Sequence, residues 1–413
     1  MGTSADRLIS METLTPETIE QRMSELVEAC RQDHLGEPET GADGIPTPIQ
    51  ALNAVWDEAS RAGRGGKRLR ALLLWDTYRA IGAGEEDTDQ AVIDLACALE
   101  VYQTSALVHD DIIDNSPLRR GKPSSHMVLS NLTGPEENPE RTDLGNPMHQ
   151  DHLGAGRSSE ATAARGRGLG ILLGDLLSTS SSDLVSRASA SLPSGESILR
   201  TFLGMQTAVE TGQVLDMGME IMPLDDPEQL RREAFRTMGW KTASYTTMAP
   251  LALGLMAGGI DPDRTRALAY DLGLHLGLLF QLRDDLLDVE GRSGQTGKPQ
   301  GGDILEGKRT VLLADTLSMA SPDEAERLRA AYRAPQRTPD QVAWVRRLME
   351  TSGAVEKSRN RMDRLTSSAY EEIANLCREL SLDDRQGSII ERACRRFMPD
   401  AATPGYHRHG IDG

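Results

Sequence analysis

Two clusters of aspartates in this chain repeat one pattern. Residues 110–114 read Asp-Asp-Ile-Ile-Asp, and residues 284–288 read Asp-Asp-Leu-Leu-Asp. On a helix, a spacing of four places the first and last aspartate of each cluster on one face, one turn apart. Carboxylate oxygens are hard ligands that suit Mg²⁺, which prefers to share its shell with water and phosphate oxygens. The clusters therefore predict a diphosphate held with Mg²⁺, or with Mn²⁺ as the alternative ion, and the candidate metal ligands are Asp110, Asp111, Asp114, Asp284, Asp285 and Asp288.

Each cluster closes a long apolar segment. Between Ala91 and Val108 the only charged residues are Asp94 and Glu100, and between Ala267 and Leu282 the only one is Asp271. Helices that are apolar nearly all round lie in the centre of a protein. Three carboxylates at the C-terminal end of a central helix repel one another and the helix dipole, so they need a cation. The alternative is a pair of solvated acidic helix ends, which the apolar helices disfavour.

Basic groups near the clusters could bind an anion. They are Gly65-Gly66-Lys67-Arg68-Leu69-Arg70, which opens a predicted helix, Arg119-Arg120-Gly121-Lys122, Lys241-Thr242, and Lys298 with Lys308-Arg309. Backbone N–H groups at a helix start favour an anion. Each group alone would be a solvated run of charge, but their placement beside the clusters favours diphosphate binding. Residues 302–309 nearly match a P-loop, yet Arg309 replaces the Ser or Thr and no strand is predicted before it, so no nucleoside triphosphate site is expected.

Composition limits the class of protein. The 413 residues include 45 Lys and Arg against 63 Asp and Glu, a formal net charge of −18. This argues against a nucleic-acid partner and against an anionic membrane surface. Aromatic residues make up 4% of the chain, so a core of Leu, Ala, Val and Met, typical of helices, is expected. The cysteines Cys30, Cys97, Cys377 and Cys394 are far apart, which predicts free thiols in a cytoplasmic protein. No membrane span or signal peptide is expected.

The hydrophobic period is helical almost throughout. One helix is predicted over 16–31, inside an N-terminal extension (1–45) that we expect to be partly disordered. The main domain (46–398) is predicted to contain helices at 48–62, 68–82, 88–114, 165–190, 194–219, 226–256, 262–290, 303–318, 322–333, 338–351 and 353–398, the last with a break near 381–384. Residues 131–164 read as a polar insertion and 399–413 as a loose tail.

Seven motifs together carry a family resemblance. They are GGKRLR (65–70), LVHDDIIDNSPLRRGKPSSH (107–126), ILLGD (171–175), GQVLD (212–216), KT (241–242), FQLRDDLLD (280–288) and GKPQGGDILEGKRT (297–310). In this order, over about residues 50–390, the chain resembles the trans-isoprenyl diphosphate synthases (polyprenyl synthetases), particularly the geranylgeranyl-type enzymes of actinobacteria. The resemblance implies an all-α, single-domain isoprenoid synthase bundle around a central substrate cavity. It also implies a homodimeric prenyltransferase that condenses isopentenyl diphosphate with dimethylallyl, geranyl or farnesyl diphosphate.

The resemblance also implies roles for individual residues. The catalytic set is Asp110, Asp114, Arg119, Lys241 and Asp284, while Asp111 and Asp288 support it through water or hydrogen bonds. Contacts to the allylic diphosphate are expected from Arg119, Lys241, Thr242, Gln281, Lys298 and Lys308. Contacts to isopentenyl diphosphate are expected from Lys67, Arg70, Gln103 and Arg120, although many relatives have His at the position of Gln103. His109 is expected to pack or to support the first cluster rather than to act as a base, and His275 is expected in the core.

The helix before Asp110 also carries a prediction about product length. Ala106 and Ser105 lie four and five residues before Asp110, one turn along a growing chain, where relatives that stop at fifteen carbons tend to have an aromatic ring. Tyr102, one turn further, is large enough to close the tunnel. We therefore expect a main product of twenty carbons, geranylgeranyl diphosphate. Farnesyl diphosphate and longer chains are the alternatives, and close helix packing is the other explanation for the small residues.

Two rival functions share parts of this pattern. A terpene cyclase shares the fold and the first motif, but its second metal motif mixes Asn or Asp with Ser or Thr and Glu, unlike the sequence at 284–288. A non-catalytic partner of a prenyl synthase tends to lose an aspartate motif or a basic residue, and here both motifs are complete. Turnover of isopentenyl diphosphate by the purified chain alone would separate a synthase from such a partner.

Overall fold

The computed structural model describes residues 14–35, 48–82, 86–130, 153–291, 301–334 and 336–399. Lys298, most of the predicted insertion and nearly all of the predicted tail lie outside these ranges. The chain divides into two compact units, one formed by residues Met1–Arg68 and Ile93–Ala188 and the other by Leu69–Val92 and Ser189–Gly413.

The described residues are mainly helical. In chain order the elements are α1 (Pro16–Leu35), α2 (Pro48–Ala62), α3 (Leu69–Ile81), α4 (Glu86–Ile113), β1 (Leu118–Arg119), β2 (Lys122–Pro123), α5 (Ser125–Ser130), α6 (Leu153–Ser189), α7 (Gly195–Glu220), α8 (Pro227–Thr237), a π-helical segment (Met238–Met248), α9 (Ala249–Ala257), α10 (Pro262–Glu290), α11 (Gly302–Glu306), α12 (Val311–Met319), α13 (Pro322–Arg333), α14 (Pro339–Thr351), α15 (Ala354–Glu379) and α16 (Asp384–Arg395).

The first unit includes the N-terminal helix. Ile19, Met23 and Val27 recur every four residues along α1 and are all buried, and α1 packs against α2. The predicted helix over 16–31 is therefore confirmed, and it belongs to the folded unit rather than to a separate extension. Strands β1 and β2 form a small antiparallel hairpin directly after α4, with Arg119 opposite Lys122.

Close helix contacts in the first unit depend on glycines of α6. A Cβ atom at Gly174 would lie 2.2 Å from Nε2 of His109 on α4, and one at Gly166 would lie 2.4 Å from the carbonyl oxygen of His126 on α5. Real Cβ atoms do not approach other atoms so closely, so a larger residue at Gly166 would push the backbone of α5 away and one at Gly174 would displace the His109 ring. Helix α6 begins at Leu153, so residues 153–164 are helical and not part of a polar loop as predicted.

The second unit is built around α10 and the π-helical segment. Helix α10 packs against the π-helical segment and against α15, and Leu272, Leu276 and Leu279 of α10 are fully buried. The predicted single helix over 226–256 is wrong in its centre, because eleven residues there adopt π-helical hydrogen bonding between α8 and α9. π-Helical turns are rare and occur frequently at functional sites.

The remaining helix predictions in the second unit differ in two places. The predicted helix over 303–318 is two helices, α11 and α12, because Gly307 adopts a left-handed conformation with φ of 83° that ends α11. Residues 302–306 are thus helical rather than a phosphate-binding loop. The predicted break near 381–384 is confirmed, since α15 ends at Glu379 and Ser381 has φ of 53°.

One described helix, Thr88–Ile113, is long and apolar enough to cross a membrane by length and composition. Of its most apolar window, 72% is buried within the protein, as in the core helix of a folded domain. The cysteines are free thiols, with Cys30, Cys97 and Cys394 buried and Cys377 partly buried.

Candidate active site

The first aspartate cluster lies at the C-terminal end of α4 in the first unit. Asp110 and Asp114 are partly exposed, whereas Asp111 is buried. Arg119, which comes from β1, donates from Nε to Oδ1 of Asp111 at 2.9 Å, and its Nη2 lies 3.6 Å from Oδ2 of Asp110. Burial raises the pKa of Asp111, and Arg119 counteracts part of this effect. Asp111 thus holds Arg119 beside the two more accessible carboxylates.

The turn at 64–68 and Arg120 form a basic group in the same unit. Nη1 of Arg120 donates to the carbonyl oxygen of Gly65 at 2.8 Å. Gly66 has φ of 108°, and the guanidinium of Arg120 lies so close that a Cβ atom at Gly66 would be 3.0 Å from Nη2. Arg68 is buried and pairs with Glu20 and Glu100, so it anchors the turn. Lys67 is exposed on this turn. The structure therefore places Arg120 against the turn that carries Lys67.

Gln103 and His109 also lie on α4. Oε1 of Gln103 is buried and has no hydrogen-bond partner among the residues that the structure describes. Because Oε1 accepts hydrogen bonds, a contact with a diphosphate oxygen would have to come from the amide N–H groups of Gln103. Nε2 of His109 lies 3.2 Å from the carbonyl oxygen of Ile171 and 3.4 Å from Oδ1 of Asp175, both on α6. These contacts favour the predicted packing role of His109.

The predicted chain-length residues lie one and two turns before Asp110. Tyr102 and Ser105 are buried, and Ala106 is partly buried. The hydroxyl of Ser105 donates to the carbonyl oxygen of Gly174 on α6 at 2.7 Å. Ser105 thus also contributes to the packing of α4 against α6.

The second aspartate cluster lies on α10 in the second unit. Asp284 is exposed and Asp285 is buried, with Oδ1 of Asp285 accepting from Nε2 of Gln281 at 2.9 Å. Burial raises the pKa of Asp285, and the neighbouring carboxylate of Asp303 adds to this effect. Its Oδ2 atom has no partner among the described residues. Asp285 is also one of the residues that line a cavity of about 10 Å³, roughly the space of one water.

Asp288, near the end of α10, bonds the first residues of α11. Its carboxylate accepts from the backbone amides of Gly302 at 3.0 Å and Asp303 at 3.2 Å, at the start of α11. Asp303 in turn lies 3.4 Å from Nζ of Lys308, which also pairs with Glu306 at 2.9 Å. The predicted supporting role of Asp288 agrees with these bonds, whereas Lys298 lies outside the described residues.

The π-helical segment brings three predicted allylic-site residues together. The hydroxyl of Thr242 donates to Oε1 of Gln281 at 3.0 Å, and Nζ of Lys241 lies 2.6 Å from Oδ2 of Asp216 on α7. A Cβ atom at Gly212 would lie 2.2 Å from the backbone nitrogen of Lys241, so glycine is required for this approach. No role was predicted for Asp216 from the sequence, although it belongs to the GQVLD motif.

Arg70, at the start of α3, lies against the same segment. Its Nη2 donates to the hydroxyl of Thr246 at 2.9 Å, and its Cζ lies 4.2 Å from the centre of the Tyr245 ring. Thr246 and Tyr245 were not among the predicted site residues, because nothing in their spacing indicates a contact with Arg70 that spans 176 positions of sequence.

The first unit also contains a cavity of about 570 Å³ between α1, α2, α4 and α6. Among the residues that line it there is no predicted site residue. It is therefore not the substrate cavity that the sequence predicts.

The accessible carboxylates of the two clusters are the candidate ligands of a metal ion. Among the described residues, no group of three or more His, Cys, Asp or Glu side chains is gathered closely enough to hold an ion by itself. Mg²⁺ needs only one or two protein carboxylates when waters and phosphate oxygens complete its shell. The donor set of accessible carboxylates, with basic side chains nearby in each unit, therefore fits Mg²⁺ bound together with a diphosphate.

Comparison with known proteins identifies the family of the chain. The family described as polyprenyl synthetase matches residues 52–349. A farnesyl diphosphate synthase of Geobacillus stearothermophilus is 32% identical over 279 residues, covering 65% of this chain and 77% of that protein. A geranylgeranyl diphosphate synthase of Saccharolobus solfataricus is 33% identical, covering 63% of this chain and 65% of that protein. The crystal structure of a geranylgeranyl pyrophosphate synthase from Corynebacterium glutamicum, complexed with isoprenyl diphosphate and magnesium, superposes with a TM-score of 0.73 and 28% identity, covering 92% of this chain and 97% of that chain.

The helical fold and the paired aspartate clusters define a prenyl synthase of the all-α type, so the predicted single-domain helical fold is confirmed. The chain belongs to the polyprenyl synthetase family. It is a trans-prenyltransferase, in a family that uses divalent metal ions.

Proposed function

We propose that this prenyltransferase condenses isopentenyl diphosphate with an allylic diphosphate and that its main product is geranylgeranyl diphosphate. The observation that carries the catalytic part is that hydrogen bonds hold polar or basic side chains in place near each aspartate cluster. Arg119 is fixed by Asp111 beside Asp110, and Lys241 and Thr242 are fixed on the segment that hydrogen-bonds Gln281, one turn before Asp285.

In this proposal Asp110, Asp114 and Asp284 hold Mg²⁺. When bound, the metal supplies positive charge that stabilises the negative charge on the departing diphosphate. Asp111 and Asp285 are buried and hydrogen-bonded to neighbouring side chains, so they orient the clusters rather than offer both oxygens to an ion. Asp288 fixes the start of α11, because its carboxylate accepts hydrogen bonds from two backbone amides there.

The basic side chains bind the two diphosphates. Arg119, Lys241, Thr242, Gln281, Lys298 and Lys308 bind the allylic diphosphate, and Lys67, Arg70, Gln103 and Arg120 bind isopentenyl diphosphate. The C1–O bond of the allylic substrate breaks, and its electron pair leaves with the diphosphate. The double bond of isopentenyl diphosphate then forms a carbon–carbon bond to C1, and a proton passes to the released diphosphate. No protein nucleophile takes part.

The product length rests on the α4 residues before Asp110. The small side chains of Ser105 and Ala106 leave the first turn open, and the buried ring of Tyr102 supports closure one turn later. An extended five-carbon unit is roughly as long as the 5.4 Å pitch of a helix, so one extra turn admits about one extra unit. Relatives named farnesyl and geranylgeranyl diphosphate synthases are similarly identical to this chain, so a fifteen-carbon product is the alternative.

Product analysis tests the proposal. The purified chain is incubated with labelled isopentenyl diphosphate, Mg²⁺ and, separately, dimethylallyl, geranyl or farnesyl diphosphate, and the dephosphorylated products are separated by length. We expect a main product of twenty carbons with each primer. A fifteen-carbon or longer main product would refute the chain-length proposal alone, while absence of condensation would refute the catalytic one. A homodimer and a cytoplasmic location stay predictions.

A further inference from the structure

We infer that Thr246 is a positioning residue for Arg70 and thereby sets the affinity for isopentenyl diphosphate. The inference rests on the proposed function, in which Arg70 binds this substrate. It concerns a residue in the π-helical segment that no motif singles out.

The contact is buried and specific. The side chain of Thr246 is fully buried, and its hydroxyl oxygen accepts from Nη2 of Arg70 at 2.9 Å. The ring of Tyr245, the preceding residue, covers one face of the guanidinium at 4.2 Å. Thr246 thus bonds one edge of the guanidinium while Tyr245 covers one face.

The arrangement leaves donors of Arg70 for a ligand. A guanidinium has five N–H donors and no acceptor, and its planar fork matches the oxygens of a phosphate. Nε of Arg70 is buried and finds no acceptor within the described part of the chain. A buried donor without a partner is costly, so an anionic oxygen bound there would gain a charge-assisted hydrogen bond.

The same segment also carries Lys241 and Thr242, which the proposal assigns to the allylic diphosphate. Residues 241 and 246 are five apart, the spacing of one hydrogen-bonded π-helical turn. One rigid segment therefore orients contacts to both substrates. The hydroxyl of Thr246 serves the isopentenyl side only, which gives its removal a distinctive kinetic signature.

The test compares T246V with T247V. Valine keeps the shape of threonine and removes the hydroxyl. Thr247 is also fully buried, but its hydroxyl donates to the carbonyl oxygen of Gly273 at 2.6 Å, away from Arg70.

In T246V we expect the KM for isopentenyl diphosphate to rise roughly tenfold or more, the scale of a lost hydrogen bond to a charged group, while the KM for the allylic substrate stays within about twofold. T246S, which keeps the hydroxyl, should have the same KM for isopentenyl diphosphate as the wild-type protein. T247V should lower the melting temperature without changing either KM.

Further variants separate failure of the inference from failure of the proposed function. R70A should raise the KM for isopentenyl diphosphate, and R70A/T246V should equal R70A, because Thr246 acts through Arg70. An effect of R70A with none of T246V overturns the inference and leaves the proposed function standing, as does an equal KM effect of T247V. Absence of condensation by the wild-type protein overturns the proposed function itself. T246A provides the same comparison if T246V does not fold.

Discussion

In both aspartate clusters, the first and second aspartates have different environments and different proposed roles. In each cluster the second aspartate, Asp111 or Asp285, is buried and hydrogen-bonded to a neighbouring side chain, and burial raises its pKa. The first aspartate, Asp110 or Asp284, is more accessible. The repeated sequence pattern predicted the clusters, but it could not distinguish these roles, because burial depends on which helices pack against α4 and α10.

Asp284→Ala should therefore lower kcat/KM by about two orders of magnitude or more, a loss of roughly 2.7 kcal/mol of transition-state stabilisation. Asp110→Ala should have an effect of the same size, because each variant loses an accessible carboxylate proposed to hold Mg²⁺. Steady-state rates over a range of Mg²⁺ concentrations measure the effect. Asp271→Ala is the matched control, since Asp271 is an exposed aspartate on the same helix as Asp284, and it should keep wild-type rates. Rates within threefold of wild type for Asp110→Ala or Asp284→Ala would contradict the metal assignment.

Helices position these residues, and the sequence predicted most of the helices but not the π-helical segment. The helical period located α2, α7, α10 and α13 to within about a residue, with apolar residues on one face of α2 and α13 and nearly all round the centre of α10. It did not predict the π-helical segment, which other helices approach closely at Gly212 and Gly277, because these contacts join residues distant in the sequence. The contacts of Lys241 with Asp216 and of Arg70 with Thr246 depend on the same packing, so they too could not be read from spacing.

A substitution at Gly212 tests whether the close packing of α7 against the π-helical segment positions Lys241. Gly212→Ala would place a Cβ atom 2.2 Å from the backbone nitrogen of Lys241. The helices must move apart, which should cost about 1–3 kcal/mol of stability and displace Lys241, so kcat/KM for the allylic substrate should fall. Gly218→Ala on the same helix is the control. A Cβ atom there meets nothing within 4 Å, so higher helix propensity should stabilise it by roughly 0.5–1 kcal/mol. Equal melting temperatures for the two variants would contradict the packing argument.

A buried carboxylate links α8, α12 and α15 in the second unit. Asp315 of α12 is fully buried and pairs with Arg231 at 2.8 Å, Lys357 at 2.9 Å and Arg361 at 2.8 Å. Burial alone would raise the pKa of Asp315, but the three cations together lower it below its usual value. A carboxyl whose pKa is lowered by folding contributes stability above its unfolded pKa of about 3.9, and this contribution is lost as the pH falls through the lower folded value.

Asp315→Asn should therefore destabilise the protein by about 3–5 kcal/mol at pH 7, because the three cations lose their buried partner. The difference from wild type should persist at pH 5 and shrink below about pH 4, where the wild-type carboxyl also takes up a proton. Urea unfolding at these pH values measures it. Glu196→Gln removes a surface pair with Arg200 and should leave the unfolding midpoint unchanged. A difference that is constant from pH 7 to pH 3.5 would mean that the charge of Asp315 does not contribute.

At the scale of the whole molecule, the family sets the reaction but not the length of the product. The chain is 32% identical to a farnesyl diphosphate synthase and 33% identical to a geranylgeranyl diphosphate synthase, so overall similarity does not discriminate between the two products. A few side chains along the growing product must decide, and α4 carries the candidates. The structure adds that Ser105 bonds Gly174 on α6, a contact that α4 spacing alone could not predict.

Two substitutions on α4 test the product length. Ser105→Phe places a ring one turn before Asp110 and should shift the main product from twenty toward fifteen carbons. Tyr102→Ala removes the buried ring one turn further and should lengthen the product, since each added turn admits about one five-carbon unit.

Val101→Ala is the control, because Val101 is also buried on α4 and lines the 570 Å³ cavity instead. It should lower stability through a lost buried side chain while leaving the product at twenty carbons. Products are compared by chromatography after dephosphorylation, with farnesyl diphosphate as primer for Tyr102→Ala and dimethylallyl diphosphate for Ser105→Phe. An unchanged product in both variants would mean that the small residues serve the packing of α4 against α6 and that other helices close the tunnel.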